Sequence, residues 1–138
     1  DNGQQYGQGI KFSGVNTISV TALHGKKAFV YDVSDAGYTH KYAVDGSSID
    51  RYFSYTIDSF GEWDDPNFVL AIGNRSGGVL VDQYSGTGEV YIYKQSDLSS
   101  NTTVPTTTII EPVQDSRATN GGFGTGIKIL GNDQQAPP

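Results

Sequence analysis

Phe68-Val69-Leu70-Ala71-Ile72 is a continuously apolar run between the acidic stretch 58–67 and the polar Asn74-Arg75-Ser76-Gly77-Gly78. Five apolar residues bounded by turn formers are too few for a helix of ordinary length and read as a buried central strand. On its C-terminal side, Asn74 to Gly78 reads as a hairpin turn into Val79-Leu80-Val81. Ser85-Gly86-Thr87-Gly88 makes a second tight turn before the strand Glu89-Val90-Tyr91-Ile92-Tyr93-Lys94. On the N-terminal side, Arg51-Tyr52-Phe53-Ser54-Tyr55-Thr56-Ile57 reads as a strand with Phe53, Tyr55 and Ile57 on one face.

The same rhythm continues outward. Tyr38, His40, Tyr42 and Val44 share a face; Ala28-Phe29-Val30-Tyr31-Asp32-Val33 is a further strand. Ile18-Ser19-Val20-Thr21-Ala22 alternates as a half-buried strand should. Asp, Ser and Gly punctuate these runs, and no segment keeps helical spacing; 95–100 holds one turn at most. The expectation is an all-β fold, an antiparallel β-sandwich of jelly-roll or Ig-like Greek-key type, with extended N- and C-terminal segments. The chain divides into an N-terminal extension (1–8), a sandwich core (9–98), a Thr/Pro-rich connection (99–122) and a C-terminal strand and tail (123–138).

The two ends carry one theme. Gly124-Thr125-Gly126-Ile127-Lys128-Ile129-Leu130-Gly131 repeats Gly7-Gln8-Gly9-Ile10-Lys11-Phe12-Ser13-Gly14 with five of eight positions identical. Apolar residues two apart between glycines describe a short strand with one buried face. Either both are edge strands of one sheet under similar constraints, or one is completed in its own chain and the other by a neighbour. Ahead of the second octet, Pro105 and Pro112 bracket Ile109-Ile110, so any strand there is short or at an edge. The long connection is either a crossover returning to the first strand's sheet or an arm reaching another copy.

Composition narrows the classes. The chain of 138 residues suits one domain with a core of its own, and its 18 glycines and nine tyrosines favour strands and turns. A net charge of -6 without a basic cluster larger than Lys26-Lys27 argues against nucleic acid and anionic membrane surfaces. No apolar run reaches the roughly 20 residues that span a bilayer. Zero cysteines remove disulfides and thiol chemistry, and without methionine Asp1 is expected to be a cleavage product of a longer precursor. Asn74 and Asn101 head glycosylation sequons, which suits an exported glycoprotein.

Candidate chemistry is sparse. Asp58, Glu62, Asp64 and Asp65 crowd enough oxygen to suggest Ca²⁺, although their spacing matches no EF-hand, and a solvated acidic loop is the simpler account. Trp63, Tyr91 and Tyr93 are the candidate sugar-stacking platform, against ordinary cross-strand packing. His24 and His40 lack a serine elbow, and a phosphate loop at Gly121 to Gly126 lacks the Lys-Ser/Thr and helix it needs. The expectation is a non-enzymatic, cofactor-free extracellular structural subunit, a homo-oligomer at the cell surface. It polymerises into a filament, sheath or surface array by strand exchange or donor-strand complementation through a terminal segment. The intersubunit strand is expected to use Ile127, Ile129, Phe123, Leu130, Ile10 and Phe12, with copies of itself as partners. The alternative is a secreted carbohydrate-binding module of a larger enzyme or adhesin, with polysaccharide as its partner.

Overall fold

A computed structural model describes residues 6–34, 37–49, 53–77, 87–110 and 126–130. Among the described residues, eight strands form two four-stranded antiparallel sheets, an all-β sandwich. The first sheet holds β1 (Tyr6–Ser13), β2 (Thr17–Ala22), β3 (Lys27–Asp32) and β4 (Thr39–Asp45) in chain order. The second holds β5 (Thr56–Phe60), β6 (Val69–Gly77), β7 (Thr87–Lys94) and β8 (Thr107–Ile110), again in chain order. Each sheet is therefore a meander, and a turn of 3₁₀ helix at Gln95–Asp97 follows β7.

One apolar core joins the sheets. Ala28, Val30 and Val44 from the first meet Ile57, Leu70, Ile72, Tyr91 and Tyr93 from the second, with Phe53, Phe68 and Leu98 closing the ends. Register explains the selection: Ala28 pairs Val44 across β3–β4, and Ile72 pairs both Ile57 and Tyr91, so each set lies on one face. Phe68 and Leu70 are fully buried, as the apolar run requires.

Two local expectations are corrected. Most of the hairpin turn placed at Asn74 to Gly78 is strand: β6 continues to Gly77 and Asn74 pairs Glu89 on β7, while Gly78 lies outside the described residues. Val79-Leu80-Val81 lies outside the described residues. The strand expected from Arg51 starts only at Thr56, because Ser54 takes φ +68°. A left-handed residue breaks the alternation of an extended chain, so Phe53 reaches the core from a turn. The prolines were better guides: Ile109-Ile110 sits in β8, four residues long and at the edge of its sheet. β1 begins at Tyr6, inside the stretch expected as an extension.

After the 3₁₀ turn the connection first returns to the opposite sheet. The N–H of Ala43 donates to the carbonyl of Ser99 (3.0 Å), that of Thr102 to Ala43 (2.8 Å) and that of Asp45 to Thr102 (2.8 Å). A parallel bridge between Val44 and Thr102 thus covers the outer edge of β4. Covering an edge in this way removes a row of free backbone groups that would otherwise template pairing.

Candidate functional site

The first two strands place their polar residues inward and their apolar residues outward. Lys11, Ser13, Thr17, Ser19 and Thr21 share a face through the pairs Lys11–Ser19, Ser13–Thr17, Ser19–Val30 and Thr21–Ala28, which is the face toward the second sheet. Thr17, Ser19 and Thr21 are fully buried there, and their hydroxyls are satisfied. Ser59 of β5 donates to Ser13 (3.0 Å) and accepts from Ser19 (3.2 Å), while Thr21 accepts from the N–H of Gly9 (2.8 Å). A Cβ at Gly9 would lie 2.9 Å from Thr21 Oγ1 and 3.1 Å from Ile57, so glycine lets β1 sit this close to β5.

The opposite face of the same strands is apolar. Ile10 pairs Val20, which pairs Phe29; Phe12 pairs Ile18, which pairs Tyr31; Tyr31 pairs His40. Tyr6, Ile10 and Phe12 on the edge strand are 58%, 57% and 65% exposed. Beside them Tyr6, Phe29, Tyr31, Tyr38 and His40 form a ring cluster with centroid spacings from 5.5 to 6.3 Å. Tyr6 donates its hydroxyl to that of Tyr31 at 2.8 Å. Burial first, and this hydrogen bond second, raise the Tyr31 pKa, so its phenol stays protonated. The result is one aromatic and aliphatic surface on the outside of the first sheet, anchored on the N-terminal octet. A clue was present in the alternation of Ile18, Val20 and Ala22 with Thr17, Ser19 and Thr21, but alternation alone does not say which face is inward.

The C-terminal octet is described over 126–130. Ile127 and Ile129 are half-buried, alternating with exposed Gly126, Lys128 and Leu130. None of these five residues joins a strand ladder. The segment is held at β5, where the N–H of Ile129 donates to Oδ2 of Asp58. Phe123 lies outside the described residues.

The acidic stretch does not gather into a metal site. Asp58 accepts from Lys11, from Ile129 and from the N–H of Ser59 (3.0 Å). Glu62 instead caps the β1–β2 turn: it accepts from the N–H groups of Val15 and Asn16 and from the Thr17 hydroxyl (2.7 Å). Burial alone would raise the Glu62 pKa, but the donors from Val15, Thr17 and Asn16 outweigh it and hold the carboxyl below its usual range. Asp65 turns back on the N–H of Asn67 (2.7 Å). With these carboxylates pulled to different partners, no group of three acidic or histidine side chains among the described residues, Asp64 included, is placed to share a cation.

The sugar platform expected at Trp63, Tyr91 and Tyr93 is also corrected. Tyr91 and Tyr93 are 2% and 0% exposed and belong to the core. Trp63 is half-buried beside Tyr42 (6.2 Å between rings), with Lys41 Nζ 4.0 Å above it. Asn74 is fully buried in β6, so this fold has no room for a glycan on it; Asn101 is exposed in a turn. Comparison with protein-family models, curated proteins and solved structures finds no match.

Proposed function

We propose that the protein is an extracellular structural subunit that self-assembles, with the apolar outer face of the first sheet buried between copies. The observation that carries this reading is the inverted polarity of β1 and β2: hydroxyls face inward, and on the outer face Ile10 and Phe12 stand exposed over half-buried Ile18 and buried Val20. A contiguous apolar face of this kind on a soluble protein marks an interaction site. Terminal strand exchange then extends the contact into a filament, sheath or array.

The character of the face favours protein over polysaccharide. The Tyr6 and Phe29 rings are tilted by 52° and the Tyr31 and Tyr38 rings by 86°, so they do not form a flat stacking platform. Ile10, Phe12, Ile18 and Val20 offer sugar hydroxyls no hydrogen bond. The test is a paired substitution, Ile10→Thr with Phe12→Thr, examined by sedimentation velocity and electron microscopy. The reading requires that wild-type protein forms oligomers or polymers that the double variant does not form while keeping its strand circular dichroism. Assembly unchanged by the substitutions would refute it.

A further inference from the structure

Asp58 is the buried acid among the described residues, 2% exposed on β5. A carboxylate taken out of water needs donors, and the sources of its donors are informative. Lys11 Nζ lies 3.2 Å from Oδ1, and Oδ2 receives the main-chain N–H of Ile129. Lys11 and Lys128 are equivalent positions of the two octets, as are Phe12 and Ile129. Both copies of the repeated sequence therefore converge on one carboxylate, the first through its lysine and the second through its backbone.

The two copies are held very differently. The N-terminal copy is strand β1, laddered to β2 over Ile10, Lys11, Phe12 and Ser13. The segment 126–130 has no ladder; it rests on the Asp58 bond and on two half-buried isoleucines, and Leu130 is 83% exposed. Fifteen residues (111–125) separate it from the end of β8. Fully extended, that length reaches ~50 Å, enough to deliver the segment to its own Asp58 or to that of an adjoining molecule. The contacts made at the acceptor are the same either way, which is the condition for exchange between protomers.

The geometry points to the Asp58–Lys11 pair as an acceptor site for an extended Gly-Ile-Lys-Ile-Leu peptide, occupied in the assembled protein by residues 126–130 of a second copy. This rests on the self-assembly reading above and names its joint. In a dilute monomer the tethered segment fills its own site through its high effective concentration. In the assembly the neighbour's segment replaces it, each molecule giving one segment and receiving one. Asp58 supplies the acceptor for the main chain, and Lys11 holds the carboxylate in place.

Two full-length variants separate donor from acceptor. Ile129→Pro removes the N–H that Asp58 accepts, at a position outside both sheets, so folding of the sandwich is retained. Asp58→Asn damages the acceptor and leaves the donor segment intact. With one variant isotopically labelled, native mass spectrometry and sedimentation velocity should show each alone assembling at least tenfold more weakly than wild type. Their mixture should recover one-to-one heterodimers, the intact segment of one seated on the intact site of the other. If Ile129→Pro assembles as wild type does, or the mixture is no better than its components, the joint is refuted while the self-assembly reading stands. If wild type itself remains monomeric at every concentration, both are refuted. Should Asp58→Asn lose its strand circular dichroism, Ile129→Pro decides alone.

Discussion

Gly14 turns directly beneath the carboxylate of Glu62: its φ is +59°, and a Cβ built there would fall 2.4 Å from Glu62 Cδ. Glycine is thus favoured at the β1–β2 turn by backbone conformation, and a methyl there would have to push the Glu62 carboxylate off its hydrogen bonds. The same carboxylate receives the next two main-chain N–H groups, so one acidic side chain from the β5–β6 loop fixes the hairpin that presents the apolar face.

Gly14→Ala should therefore destabilise the fold by about 2 kcal/mol or more, combining left-handed strain of ~1–2 kcal/mol with displacement of Glu62. Urea denaturation monitored by tyrosine and tryptophan fluorescence measures it. A loss below ~0.5 kcal/mol would mean the turn relaxes freely.

Glu62 also sets an acid dependence. Its folded pKa lies below its unfolded value, so its stabilisation is fully present above the unfolded value of ~4.3 and fades as pH falls through the folded one. Asp32 and Asp45 are lowered too, by the N–H groups of Ser34 and Ser47, and act in the same direction. Glu62→Gln isolates one contribution: the stability gap to wild type should be largest near pH 7 and shrink below pH ~4. A gap that stays constant with pH would contradict the assignment.

Tyr93 presents the opposite case. Its ring fills the core, fully buried, and its hydroxyl has no hydrogen-bond partner among the described residues. Burial raises its pKa, which keeps the hydroxyl neutral. Since an unsatisfied buried polar group costs ~1–3 kcal/mol, Tyr93→Phe should leave stability unchanged or raise it by about 1 kcal/mol. A clear loss in denaturant midpoint would reveal a partner for the hydroxyl.

Gly9→Ala probes the approach of β1 to β5. The added methyl meets Thr21 Oγ1 and Ile57, so it should push the edge strand outward and cost about 1–3 kcal/mol by overpacking. Hydrogen exchange would locate the loss: faster exchange confined to β1 is expected, and uniform acceleration throughout the protein would argue for a global effect instead.

What local pattern could carry, it carried: the apolar run Phe68 to Ile72, the strands β2 and β3 and the proline-bounded edge strand β8 were legible in the chain. The shared face expected for Tyr38, His40, Tyr42 and Val44 is corrected, because a register shift opposite Val30 and Tyr31 sends Tyr38 and His40 outward and leaves Tyr42 and Val44 toward the core. The polarity of β2 was not legible either. Thr17-Ile18-Ser19-Val20-Thr21-Ala22 specifies a strand with two unlike faces, but the inward one was fixed by Ser13, Ser59 and Glu62, hydroxyl and carboxylate partners about 40 residues apart in sequence or more. Asp58 eluded local reading for the same reason, since its partner Ile129 lies 71 positions away. Tyr91 and Tyr93 looked like platform residues because composition does not distinguish a core tyrosine from a surface one. Side chains satisfied across the gap between sheets leave no periodic trace.

The most direct measurement is sedimentation velocity of wild-type protein over a wide concentration range beside the Ile10→Thr, Phe12→Thr double variant. Concentration-dependent association of the wild type, with the variant folded and monomeric throughout, is the predicted result. A wild type that remains monomeric at the highest concentration, or a variant that associates equally well, would contradict the claim that this face is buried between copies.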